Sequence, residues 1–186
     1  MPLIAAVMSA ASMEFSQLDR IAVTVGPGSF TGLRVGVAAA RGIALATGKP
    51  AVGLTTLAAL AAPFFEADEN RSLLAVIDAR HDQVYLQLFG PGGRSLIAPR
   101  LASRREAVRT AMASPTRIVG TAARLIEDAW PDNEQPPPLV SAVRAPDIVW
   151  IARLGAATID LTAPARPLYL READAHPQDA GILPRR

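Results

Sequence analysis

The apolar stretch over residues 33–47 is broken only by Arg34 and Arg41 before its terminal Thr47. At about 100° per residue, Leu33, Val37, Ala40 and Ala44 share one helical face, and Val35, Ala39, Gly42 and Ala46 roughly the opposite one. Arg34 and Arg41 fall together on one flank. A helix lying on a single sheet needs one apolar face. This helix has two, both built largely from small residues. Either its own domain covers it on both sides, or its second face meets another chain, where Gly36 and Ala40 permit close approach. Gly48 and then Pro50 supply the stop. Ahead of the helix, Ile21-Ala22-Val23-Thr24-Val25 reads as a short buried strand, joined to it through Gly26-Pro27-Gly28-Ser29-Phe30-Thr31-Gly32. Strand, glycine-rich turn and helix in that order make an α/β crossover. The turn glycines Gly26, Gly28 and Gly32 let backbone or ligand come close, and Ser29 or Thr31 can cap the helix.

The same patterning continues in both directions. Leu3, Ile4, Val7, Met8 and Ala11 form a helical stripe over residues 2–13, and 16–20 is a connector. Residues 50–54 read as a strand, and Thr55 or Thr56 caps a helix through Leu57, Leu60 and Ala61. An acidic, polar run over 63–71 marks a domain boundary. Beyond it, 73–78 is an apolar strand, and Val84, Leu86 and Leu88 alternate with Tyr85, Gln87 and Phe89 in a second. Residues 80–83 turn between them. Gly90-Pro91-Gly92-Gly93 is another turn, and 95–99 a third strand. Ser103 caps a helix to Met112, 117–119 is a strand and 121–130 a helix. A proline-rich loop over 131–138 leads to a strand at 139–143, and a helix over 147–159 follows Pro146.

Residues 72–160 thus read strand, strand, strand, helix, strand, helix, strand, helix. Residues 1–62 read helix, strand, helix, strand, helix, which is the same series without its opening three strands. A repeated three-stranded meander followed by helix–strand units is the plan of ribonuclease-H-like and actin-like ATPase folds. The expected division is a truncated N-terminal actin-like lobe over 1–65 and a C-terminal ribonuclease-H-like lobe with its tail over 72–186.

Composition narrows the chemistry. Half of the 186 residues are apolar and 19% charged, as in a globular protein. Aromatics are only 5%, so the core is aliphatic and alanine-rich. The formal charge is +2, and no dense Lys/Arg run with interleaved aromatics announces direct nucleic-acid binding. With no cysteine there are neither disulfides nor thiolate sites. The two histidines, His81 and His176, lie far apart in sequence, which speaks against a zinc site or a Ser-His-Asp triad. No stretch is long and apolar enough to span a bilayer, and the opening residues lack the positive region of a signal peptide. A soluble, cytoplasmic chain is the expectation.

The turn itself fails three catalytic spacings. Gly26, Gly28 and Gly32 do not fit G-x-G-x-x-G. Gly32 is followed by Leu33 and Arg34 rather than by the Lys and Ser/Thr of a phosphate loop. Ser29 has Pro27 and Thr31 where a nucleophile elbow has glycines.

The run Gly26-Pro27-Gly28-Ser29-Phe30-Thr31-Gly32-Leu33-Arg34-Val35-Gly36 closely resembles the signature of the TsaB, or YeaZ-type, family of subunits in bacterial tRNA threonylcarbamoyladenosine synthesis. The likeness extends through Gly53-Leu54-Thr55-Thr56-Leu57, Asp78-Ala79-Arg80 with Val84-Tyr85, and Pro167-Leu168-Tyr169-Leu170-Arg171. It implies duplicated α/β lobes of the actin-like ATPase, ribonuclease-H-like class. It also implies a non-catalytic partner of a TsaD-like ATPase, which would carry the ATP and the metal, so that this chain itself holds no cofactor. A TsaE-like ATPase would be a further partner, and tRNA would be met only through the complex. Pairing in the family uses a bundle of the first two helices of each subunit, here residues 2–13 and 31–47. That turns the two-faced helix into an interface, with Leu33, Arg34, Gly36, Val37, Ala40, Arg41 and Ala44 as partner-facing residues toward a TsaD-like subunit or a second copy of the chain. Arg34 and Arg41 would meet carboxylates there.

The family pattern opens with three strands that precede the first helix, and these residues are not found here. Either the start is misassigned and Met1 is internal to a longer chain, or the copy is degenerate. Without those strands, Ile21, Val23 and Val25 fall on an unpaired sheet margin. The alternatives of the same fold are an autonomous ATPase and, from the family's older label, a glycoprotease-like metallopeptidase. The first needs phosphate loops in both lobes and the second a metal cluster or an activated nucleophile. Asp78 sits where actin-like ATPases place a phosphate-loop acid, but Ala79, Arg80 and His81 follow it instead of glycines. A plain hairpin with His81 exposed is expected. Glu172 and Asp174 read as a solvated tail, and Trp130 and Trp150 as packing residues on helices.

Overall fold

The computed structural model describes residues 2–65 and 70–171. The predicted strand, turn and helix are present as β1 (Ile21–Gly26) and α2 (Phe30–Thr47), preceded by the isolated α1 (Pro2–Ala10). Ser29 caps α2, its hydroxyl accepting from Gly32 N–H at 3.4 Å, and Gly48 closes the helix in the left-handed region at φ +67°. The chain then returns as β2 (Ala51–Thr55), parallel to β1, and turns into α3 (Thr56–Ala61), capped by Thr55 accepting from Ala58 N–H at 2.9 Å.

The second lobe holds β3 (Ser72–Arg80), β4 (Gln83–Phe89), β5 (Ser95–Ser103), α4 (Arg104–Met112), β6 (Thr116–Val119), α5 (Ala123–Glu127) and β7 (Val140–Ser141). Its five strands lie in the order β5-β4-β3-β6-β7. The meander β3–β4–β5 is antiparallel, while β6 and β7 add parallel strands. Alternation along β3 divides the core. Leu74 and Val76 face Ala107, Val108, Ala123 and Ile126 of α4 and α5, while Leu73 and Ala75 face Leu57 and Ala61 of α3. So α3, which belongs by sequence to the first lobe, is buried against the second sheet. The succession of elements, a three-stranded meander followed by helix–strand units, is the one expected from the sequence. The third strand runs to Ser103, however, and the helix expected over 121–130 is only the short α5. Trp130 lies beyond it, half-buried against the core, with its indole N–H donating to Gln135 O at 3.0 Å.

The last helix, α6 (Ile148–Ala157), leaves the second sheet and packs on the first. A Cβ built on Gly155 would lie 2.4 Å from Ala22 Cβ. Ala22 and Val23 point to opposite sides of β1, and α2 lies over Val23 and Val25. The first sheet is therefore covered by α2 on one face and α6 on the other. Arg20 ties the last turn of α6 down, its guanidinium donating to Gly155 O at 3.0 Å, Ala156 O at 3.0 Å and Thr158 O at 2.8 Å. In sequence the two sheets lie on either side of the 63–71 run. In space, α6 and residues 165–168 come back to the first lobe.

Candidate functional site

The turn Gly26-Pro27-Gly28 is closed by the chain itself. Gly26 has φ +124°, and a Cβ there would sit 2.8 Å from the carbonyl oxygen of Leu168 and 3.1 Å from Leu33 Cδ1. Close backbone approach is the reason for this glycine, as the sequence implied, but what approaches is the segment around Leu168. Gly28 and Gly32 meet only ordinary side-chain contacts, with Leu33 at 3.9 Å and with Ser29 at 3.5 Å.

Along α2 the periodicity is as read, and the structure fixes the direction of each face. Leu33, Val37 and Ala40 are buried, with Ala44 half-buried beside them, and this face is turned to the chain's own sheet. Leu33, Val37 and Ala40, three residues of the expected partner-facing set, are buried within this chain, and Val37 packs with Val23 and Val25. Gly36 is half-buried, with Val23 Cγ2 3.9 Å from where its Cβ would be. The uncovered face is the other one. Val35 is 65% and Leu45 87% exposed, with Ala38, Gly42 and Ala46 between and beside them. Nothing lies within 4 Å of a Cβ built on Gly42. Helix α1 buries no residue, and Leu3 and Val7 of its apolar stripe are 78% and 59% exposed.

The arginines of α2 differ in their surroundings. Arg41 is exposed. Arg34 is held within the chain, its guanidinium carbon 3.7 Å from the Phe30 ring centroid and its Nε donating to the Tyr169 hydroxyl at 2.9 Å. Nothing in the sequence pattern pairs Arg34 with an aromatic 135 residues away; only the Pro167–Arg171 motif marks that stretch.

Asp78 serves its hairpin. Its carboxylate accepts from Arg80 N–H at 2.8 Å, and its own N–H donates to the Thr121 hydroxyl at 3.1 Å. Arg80, His81 and Asp82 turn the chain with positive φ, and Asp82 pairs with Arg104 at 3.0 Å. His81 is exposed. Trp150 lies on α6 under the Arg153 guanidinium, 4.9 Å from the ring centroid. Glu172 and Asp174 lie outside the described residues. Among the described residues no group of three His, Cys, Asp or Glu side chains could hold a metal ion, and no helix is long and apolar enough to cross a membrane.

The family model described as TsaD, tRNA N6-adenosine threonylcarbamoyltransferase, matches residues 1–142. The tRNA threonylcarbamoyladenosine biosynthesis protein TsaB of Haemophilus influenzae is 36% identical over 85 residues, 46% of this chain and 36% of that protein. The chain thus spans about a third of the length of this relative. The uncharacterized protein Rv3421c of Mycobacterium tuberculosis is 30% identical over 180 residues, 95% of this chain and 75% of its own length. The solved structure of YeaZ from Pseudomonas aeruginosa superposes with a TM-score of 0.70 at 28% identity, covering 91% of this chain and 81% of that one. This likeness and the strand order place the fold in the actin-like, ribonuclease-H-like class. The model match over residues 1–142 shows that the chain belongs to the family this model describes, and its TsaB and YeaZ relatives mark it as a TsaB, or YeaZ-type, member.

Proposed function

We propose that this chain is a non-catalytic assembly subunit supporting a TsaD-like ATPase in the N6-threonylcarbamoyl modification of tRNA adenosine. The observation that carries this reading is the apolar helical surface left uncovered on α1 and on the outer face of α2, centred on Leu3, Val7, Val35 and Leu45. A chain of alanine-rich helices exposing such residues gains free energy when a partner helix removes them from water. The TsaB name of the Haemophilus influenzae relative supports the pathway. In this reading ATP and metal belong to the partner, a TsaE-like ATPase joins the assembly, tRNA is met only through it, and the complex works in the cytoplasm.

Co-purification with a TsaD-like subunit tests the surface. Val35→Glu with Leu45→Glu should abolish capture while circular dichroism is unchanged, since both side chains point away from the core. Wild-type capture by that double variant would remove this surface as the contact. The isolated chain is also expected to hydrolyse neither ATP nor peptides. Turnover above background that disappears in Asp78→Asn would overturn the non-catalytic role.

A further inference from the structure

One extended segment touches both lobes. Ala165 is buried with Val25 and Val37 in the core of the first lobe, and Leu168 packs beside them. The Leu168 N–H donates to Val25 O at 2.7 Å. The Tyr169 ring lies against Phe30, centroids 5.5 Å apart, and its hydroxyl takes the Arg34 hydrogen bond. Two residues further on, the Arg171 guanidinium donates to Oε1 of Gln83, the first residue of β4 in the second lobe. Two glycines make room for this path. Besides Gly26, a Cβ on Gly53 would come within 3.3 Å of Ala165 Cα.

The lobes also meet at α3, where the Thr55 hydroxyl donates to Gln87 Oε1 at 3.0 Å. Gln83 and Gln87 lie on the same strand, four residues or roughly 13 Å apart. The lobes share α3, whose Leu57 and Ala61 are buried against Leu73, Ala75, Phe89 and Val119, so any rocking of one lobe on the other turns about this packed seam. A second attachment at the far end of β4 removes that freedom.

We propose that residues 165–171 are a clasp that sets the orientation of the two lobes, anchored by Tyr169 on the first and by Arg171 on the second. This inference rests on contacts inside the chain and stands whether or not a TsaD-like partner binds. The chain has no cysteine, so Ala46→Cys and Ala113→Cys, both at exposed positions in different lobes, give two unique sites for spin labels. Pulsed dipolar spectroscopy on the full chain should show a narrow distance distribution. Adding Tyr169→Ala and Arg171→Ala should broaden it about twofold, as hinge motion of the μs–ms kind is trapped on freezing. Leu161→Ala, just ahead of the clasp, should leave it unchanged. A double variant with the parent's distribution refutes the clasp. Should that variant fail to fold, Gln83→Leu removes only the second-lobe acceptor, and an unbroadened distribution there refutes it equally.

Discussion

At Gly26 a methyl group would have to share space with the Leu168 carbonyl, in a backbone conformation that L-residues rarely adopt. Gly26→Ala should cost about 1–3 kcal/mol from the backbone alone, read as a fall in the denaturant midpoint. Gly42 offers the contrast, because it lies mid-helix, exposed and with nothing near its missing Cβ. Gly42→Ala should raise stability by about 0.5–1 kcal/mol, since alanine loses less freedom on entering a helix. The sequence places Gly26 in a turn and Gly42 in a helix, but it does not separate Gly26 from its turn neighbours Gly28 and Gly32, which meet only ordinary side-chain contacts. The difference lies in whether a distant segment crosses the position, and no local pattern encodes that.

For the helices, ends were more legible than directions. Ser29, Thr55, Ser103 and Asp147 each precede an apolar-periodic run, and each accepts a hydrogen bond from a backbone N–H in the first turn. The faces of α2 were also legible, but which of them meets the sheet was not. Periodicity gives the phase of an apolar stripe, and a helix with two such stripes needs the sheet's position to break the tie. Ala40→Leu therefore tests the core rather than an interface. Overfilling the space under α2 should destabilise the fold by ~1–3 kcal/mol, visible as a lower melting temperature without any partner present. For α6 the decisive residue is remote. Arg20 satisfies three carbonyls at the helix end, where a cation also opposes the helix dipole. Arg20→Ala should cost about 1.5–3 kcal/mol, the range for hydrogen bonds to a charged group, and a thermal melt of Arg20→Lys should recover part of it.

Taken as one object, the chain keeps its two lobes unequal in how they are made. The second sheet draws on a continuous stretch, β3 to β7, which is why its meander could be read strand by strand. The first is assembled from both ends of the chain, with α6 laid on Ala22 and the 165–168 segment laid on Val25. The Arg20–Thr158 bond alone spans 138 residues. That split arrangement has a consequence for synthesis. A nascent chain usually folds its leading part first as it leaves the ribosome, and the split first lobe predicts the reverse order here. The second lobe has all its strands once residue 141 has emerged. By then β1, α2, β2 and α3 have emerged, but α6, which packs on the same sheet, has not yet been translated. Long-range closure of this kind is slow. A chain released at residue 145 should show amide protection in β3 to β6 and none in β1 and β2 by hydrogen exchange. Equal protection of both sheets would mean that the first lobe needs no help from the end of the chain.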